Sequence, residues 1–221
     1  MKLLVACEES QAVCTAFRKR GHEAYSCDIQ ECTGGHPEWH IQGDVLPLLN
    51  GLCTFATMDG AEHTITGRWD MIIAHPPCTK TSNAGARHLY KGKKLNLQRY
   101  YEGMCGKAFF MTFLHADCEK IVVENPRPSR IFEFPEPSQA IQPYQYGHPY
   151  SKLTLLWEIG VPTLVPTNIV VPKKTWCPSG SYSHKHDPKH HGVEPNVSGE
   201  RAKLRSKTFP GIAEAMAEQW G

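Results

Sequence analysis

Four apolar residues, Met71-Ile72-Ile73-Ala74, run into His75-Pro76-Pro77-Cys78 and stop there. A short unbroken apolar run closed by prolines predicts a buried strand ending in a stiff turn. Two further runs repeat the pattern. Leu3-Leu4-Val5-Ala6 closes on Cys7-Glu8, and Ile121-Val122-Val123 closes on Glu124-Asn125-Pro126. Strands that are apolar on both faces belong to parallel sheets covered by helices on each side. In such a sheet the carboxyl ends of neighbouring strands meet around one crevice, so the residues just past each run are the candidate site. Pro76 and Pro77 fix φ and donate no N–H, which holds Cys78 stiffly at its strand's tip. A cysteine taken alone reads as a small buried hydrophobe. The surrounding chain decides otherwise.

The first 28 residues form a unit of strand, turn, helix, strand and acid. After Cys7-Glu8-Glu9-Ser10, the stretch Gln11 to Arg20 carries Val13, Ala16 and Phe17 at helical spacing. Ser10 is the expected cap and Gly21 the expected stop. Glu23 to Cys27 is a second strand closing on Asp28. This is the first half of a doubly wound nucleotide-binding sheet, with Asp28 placed for a ribose hydroxyl. The GxGxxG fingerprint that holds a pyrophosphate is missing, which favours an adenosine ligand without phosphates. Trp39, in the loop that follows, is placed to stack on the base, and Asp44, in Gly43-Asp44-Val45, to accept the adenine amino group. Cys27, Cys32, His36 and His40 also fit a C-x4-C-x3-H-x3-H metal spacing, but Cys27 is already claimed by the buried strand.

At 221 residues, with 40% hydrophobic and 21% charged residues, the composition is that of one sizeable soluble domain. The net charge of +2 does not announce a nucleic-acid binder by itself. No apolar run approaches a membrane span and no signal-peptide layout opens the chain. With nine cysteines in no regular framework, reduced thiols in the cytoplasm are expected.

Later segments fill in the architecture. Alternating residues on either side of Met58-Asp59-Gly60 predict a β-hairpin, read as a surface insertion. Thr79 to Asn96 is a long basic loop without apolar periodicity, whose Lys80, Arg87, Lys93 and Lys94, with Ser82 and Asn83, suit a phosphate backbone. A helix over Leu97 to Ala116 should bury Phe109, Phe110, Phe113 and Leu114. Ile141 to Tyr144 and Leu153 to Trp157 read as strands, and Gly211 to Trp220 as a last helix. From Pro166 to Ser198 the chain turns irregular, with Trp176-Cys177, His184, His186, His190 and His191 in no standard zinc spacing.

A thiol and a carboxylic acid at adjacent strand ends suit conjugate addition to a pyrimidine. The thiolate adds to C6 while the acid holds N3, and C5 becomes nucleophilic. No C-x-x-C occurs for disulfide exchange, and His75 is expected to point elsewhere in the turn.

Taken in order, these motifs resemble the DNA cytosine-C5 methyltransferases, in a compact form like those of bacteriophages. Val5 to Ile29 is similar to the family's S-adenosylmethionine motifs, and Gly43-Asp44-Val45 to its adenine-contacting motif. Pro76-Pro77-Cys78 matches the nucleophile motif, and Ser82-Asn83-Ala84-Gly85 resembles the segment after it. Glu124-Asn125-Pro126 looks like the Glu-Asn-Val motif, and Tyr146 to Thr154 aligns with Gly-Val-Pro-Gln-x-Arg-x-Arg. The chain departs from the family at Cys7-Glu8-Glu9-Ser10, where a Phe-x-Gly-x-Gly stands, and at Tyr150, Lys152 and Thr154, which replace Gln and two Arg.

The resemblance implies an open, doubly wound, mostly parallel α/β sheet of the class I S-adenosylmethionine-dependent methyltransferase type. It implies a catalytic domain over 1–165 and 200–221 and a small irregular recognition segment over 166–199. The catalytic set would be Cys78, Glu124 and Lys152, the last contacting cytosine O2. Cys7, Glu8, Ser10, Asp28, Ile29, Trp39, Asp44, Val45 and Pro76 would bind S-adenosylmethionine, no metal is called for, and the partner would be DNA in a bacterial host cell. Two other readings remain: an amino-group methyltransferase, whose strand-end motif carries an aromatic where Cys78 stands, and a nucleic-acid-binding relative without turnover.

Overall fold

The computed structural model describes residues 1–175 and 206–221. Seven strands form the central sheet: β1 (Lys2–Ala6), β2 (Glu23–Asp28), β3 (His40–Gln42), β6 (Met71–Ala74), β9 (Ile121–Asn125), β10 (Gln139–Ile141) and β12 (Thr154–Ile159). Their spatial order is β10-β12-β9-β6-β1-β2-β3. The sheet is mostly parallel; β12 alone runs against its neighbours β9 and β10. The chain steps outward from β1 to β2 and β3, then returns to the other side of β1 with β6 and β9. That reversal puts a crevice at the carboxyl ends of β1 and β6.

Three helices cover the sheet among the described residues: α1 (Ala12–Lys19), α2 (Leu97–Leu114) and α3 (Pro210–Trp220). Alternation along the strands sends Leu3, Val5, Met71, Ile73 and Val122 to one face, where they pack with Val13 and Phe17 of α1 and Ile212, Met216 and Trp220 of α3. Leu4, Ala6, Ile72, Ala74, Ile121 and Val123 go to the other face, against Phe110 and Phe113 of α2. The three apolar runs are therefore buried on both sides, as their composition requires.

Several local expectations are corrected. Ser10 does not cap α1. Gln11 occupies the cap position with φ 56° and makes no side-chain cap bond. Instead Glu8 accepts from the backbone N–H of Val13 at 2.6 Å and of Cys14 at 3.2 Å. Cys7 and Gln11 both lie in the left-handed region, and the bend they make turns Glu8 onto the helix N-terminus. The expected stop is present: Gly21 has φ 84°, and the N–H of Gly21 and His22 close on the carbonyls of Arg18 and Phe17.

The Asp-Gly hairpin forms as β4 (Cys53–Ala56) and β5 (Glu62–Ile65). It is no mere surface insertion, because Phe55 and Ile65 are buried with Trp69 and Tyr25 in the second core. The basic stretch after Cys78 is more ordered than its composition suggests: Ser82 caps a 3₁₀ turn over Asn83–His88, and β7 (Tyr90–Lys91) pairs with β8 (Lys94–Leu95). On α2, Phe110 and Phe113 are buried, while Phe109 and Leu114 are half-buried. β10 ends at Ile141 because Pro143, which lacks a ladder N–H, starts a 3₁₀ turn over Pro143–Gln145. A short β11 (Tyr150–Ser151) pairs in parallel with β13 (Lys174–Thr175). The histidine-rich stretch and most of the expected recognition segment lie outside the described residues. No described helix is long and apolar enough to cross a membrane.

Candidate active site

The ends of β1, β6 and β9 lie side by side, and their register decides which side chains meet. Ile73 pairs with Val122. Two residues on, His75 and Glu124 therefore share a face. His75 Nδ1 lies 3.3 Å from Glu124 Oε2, and both side chains are nearly buried. Thr208, just before α3, donates its hydroxyl to the same oxygen at 3.3 Å. Burial alone would push the Glu124 carboxyl up. The His75 hydrogen bond and charge outweigh it, with help from Lys152 and Thr208, and hold the carboxyl below its ordinary range. Burial pulls the His75 imidazole down, but the Glu124 hydrogen bond and the charges of Glu124 and Glu8 raise it above its usual value. The pair thus favours imidazolium and carboxylate together.

Glu8 completes the row. Burial pushes its carboxyl up to about 7, against the opposing influence of His75 and the two helix N–H groups. The row Glu8, His75, Glu124 crosses three strand ends. His75 is the functional candidate that the sequence reading misplaced. Its signal was strand parity, since Ile73 and Val122 each precede it or Glu124 by two residues.

The turn carrying Cys78 is pinned from both sides. Asn125 donates to the carbonyl of Pro76 at 3.1 Å, which ties β9 to the proline turn. The Cys78 carbonyl accepts from the N–H of Thr81 and of Ser82. Thr81 and Asn83 in turn exchange backbone bonds with Ser129 and Arg127 beyond β9. Cys78 itself is half-buried. Lys152 has its Nζ 5.7 Å from the Phe209 ring centroid and acts on both His75 and Glu124 through its charge. Lys152 is thus close enough for its charge to act on Glu124, and the turn carrying Cys78 is tied to the end of the strand that bears Glu124.

The β1–β3 side is different in kind. Burial, then the charges of Asp28, Cys27 and Asp44, hold the Cys7 thiol far above its ordinary range, so both acids lie near Cys7. Asp28 accepts from the N–H of Gln30 and Asp44 from that of Leu46. Ile29 is 77% exposed beside Asp28. Pro76 is buried at the other wall. Three expected ligand contacts are engaged elsewhere. Trp39 stacks on His36 with centroids 3.8 Å apart, and Arg18 lies over its ring. Val45 has its side chain in the second core. Ser10 lines a groove of about 440 Å³ between α1 and α3.

Compared with the models of known protein families and with curated protein sequences, the chain matches none.

Among the basic candidates, Lys93 and Lys94 are exposed on the β7–β8 hairpin. Arg87 lies in the 3₁₀ turn. Lys80 is ion-paired with Glu102. Ser82 is buried and occupied as a cap. Asn83 lines a cleft of about 670 Å³ with Arg127 and Arg130, two cations the sequence reading passed over. That cleft also contains Leu155 and Trp157, which face away from Glu124, so it is separate from the crevice. No cluster able to hold a metal occurs among the described residues. Of the Cys27/Cys32/His36/His40 spacing, Cys27 donates to Gly43, His36 meets Glu38, and His40 bonds Ser26 and Gln30.

These details limit what the crevice can hold. A helix N-terminus ordinarily receives a ligand's phosphate. Here the Glu8 carboxylate already occupies the first amides of α1. Asp28 and Asp44 act on neighbouring Cys7, so the β1–β3 side gathers negative charge and repels anions.

Proposed function

We propose that the protein is an S-adenosylmethionine-dependent DNA cytosine-C5 methyltransferase built on the class I methyltransferase sheet. The observation that carries this reading is the placement of Glu124 and the Cys78 turn on adjacent strand ends, tied through Asn125 and Pro76. Beside them, at the ends of β1 to β3, Asp28 and Asp44 supply negative charge that suits a cationic adenosine. S-adenosylmethionine is such a ligand and supplies an electrophilic methyl group. Asp28 would hold its ribose, Asp44 its adenine amino group and Ile29 the face of the base.

The target cytosine leaves the helical stack, at a cost of a few kcal/mol, to reach the thiol. Cys78 adds to C6 as Glu124 hydrogen-bonds N3 and the exocyclic amine. The proton that N3 takes up is the one the His75–Glu124 pair holds between its members, so electron density collects on C5. Lys152 faces O2. Methyl transfer would leave S-adenosylhomocysteine; water then takes the C5 proton as the sulfur–C6 bond breaks to return the Cys78 thiolate, and N3 gives its proton back to the pair. Lys93, Lys94, Arg127 and Arg130 supply positive charge for the phosphate backbone.

The test is incubation with methyl-labelled S-adenosylmethionine and mixed DNA, followed by digestion and mass spectrometry of the nucleosides. The expected product is 5-methylcytosine. Cys78→Ala should lower its yield by at least about 10⁴-fold while leaving affinity for S-adenosylhomocysteine unchanged. Full activity in that variant, or label found on an amino nitrogen, overturns the mechanism.

A further inference from the structure

The turn between β1 and α1 contains a second buried acid, which the roles assigned above leave unused. Glu9 is only 5% exposed. Its Oε2 accepts the Thr33 hydroxyl at 2.8 Å, and its backbone carbonyl accepts the Thr33 N–H at 2.7 Å. Glu9 thus bridges the β1–α1 turn and the β2–β3 loop, the two segments that wall the crevice. Its other oxygen, Oε1, is buried and has no hydrogen-bond partner among the described residues. The nearest cation in this network, Lys207, reaches Thr33 Oγ1 at 3.2 Å rather than the carboxylate.

An unpartnered buried carboxylate oxygen is costly, and more so beside other acids. Asp28 and Asp44 both act on neighbouring Cys7. A donor that carries positive charge removes the cost. Glu8 cannot share this task, because its two oxygens are taken by Val13 and Cys14.

We propose that Glu9 Oε1 accepts a hydrogen bond from the primary ammonium at the amino-acid end of the adenosine ligand, and so selects ligands that carry that amine. The proposal rests on the S-adenosylmethionine reading and adds a recognition residue to it.

Calorimetric titration tests it with three probes: S-adenosylhomocysteine, its analogue with hydrogen in place of the amine, and 5′-methylthioadenosine, which lacks the amino-acid end. The full chain should bind S-adenosylhomocysteine at least about tenfold more tightly than the deaminated analogue. Glu9→Gln should weaken S-adenosylhomocysteine by about 10- to 100-fold and leave 5′-methylthioadenosine within about twofold. Equal affinity of the unmodified protein for the amine and its deaminated analogue overturns the proposal, even if Glu9→Gln fails to fold. So does a Glu9→Gln variant that loses all ligands alike, or none. If the unmodified protein binds none of the three, the S-adenosylmethionine reading itself falls, and Glu9 with it; binding of 5′-methylthioadenosine without amine discrimination sinks only Glu9.

Discussion

On the β6–β9 side of the crevice, Glu124 faces His75, Thr208 and the charge of Lys152, and the Cys78 turn is tied down by Asn125. On the β1–β3 side, Asp28 and Asp44 act on Cys7 and Glu9 meets Thr33, and none of the three acids has an ion pair to Lys or Arg among the described residues. The contrast separates two kinds of site. Groups that act on a bond in the making need fixed positions and a defined proton, and internal partners provide both before substrate arrives. Groups that bind a cation gain most when their charge is left for the ligand to neutralise. On this view the paired half is the chemical half and the unpaired half is the binding half.

The sharpest break in that contrast is Glu124→Gln. It removes the anion that fixes His75 and, in the proposed mechanism, the acceptor for the cytosine amine. Methyl transfer should fall by about 10² to 10⁴-fold, with ligand affinity on the β1–β3 side unchanged within error. Initial rates and titrations on the same preparation measure both. A variant that keeps its rate but loses S-adenosylhomocysteine would reverse the assignment of the two halves.

The acid between the halves gives a stability test with a defined sign. The ordinary value for Glu8 is 4.5 and its folded value is pushed up to about 7. A raised acid stabilises fully below its unfolded value, and that contribution is lost as pH rises through the folded value. Between about pH 4.5 and 7 the unmodified protein should therefore lose up to about 3 kcal/mol relative to Glu8→Gln. Glu124 has the opposite sign: its carboxyl is held low, so its contribution is present above 4.5 and lost as pH falls through its folded value. His75 is held high, so its contribution is present below 6.5 and lost on raising the pH through its folded value. Urea midpoints for the three proteins across this range should give one slope that flattens in Glu8→Gln and a central maximum that shrinks in Glu124→Gln. Parallel curves for all three would show that the row Glu8, His75, Glu124 is not electrically coupled.

How much of this was legible in the chain follows from the range of each signal. Leu3–Ala6, Met71–Ala74 and Ile121–Val123 announce buried strands because unbroken apolar runs have few other homes. Gly21 and Asp59-Gly60 announce a stop and a turn because their backbone demands are local. Cys78 and Glu124 became candidates because strand tips converge in any such sheet. The helix cap moved from Ser10 to Glu8 because left-handed φ at Cys7 and Gln11 is set by the fold and leaves no mark on residue type. Trp39 and Val45 read as ligand contacts, yet packing claimed both. Phe55 and Ile65 looked peripheral because nothing local says that a hairpin will fold down onto Trp69. His75 was foreshadowed by the parity it shares with Glu124, but Glu9 depends on which atom is left unpaired, a property only the assembled structure has.

The smallest expected effect concerns the basic segment after Cys78. Lys80 is paired with Glu102 across a half-exposed surface. Such a pair adds little to stability because water screens both charges and the side chains lose freedom in meeting. Lys80→Ala should leave the unfolding midpoint nearly unchanged, and its effect on DNA binding should be slight as well, since Glu102 already neutralises the charge. Lys93 and Lys94 are exposed on β7–β8. Replacing one of these with Ala should lower affinity about equally for all DNA sequences and reduce the salt-dependence slope by about 1. Fluorescence anisotropy with duplex DNA over a series of salt concentrations distinguishes the two cases. A larger change in slope from Lys80 than from Lys93 would mean that Glu102 lets go of Lys80 when DNA binds, and would extend the phosphate-contacting surface back toward Cys78.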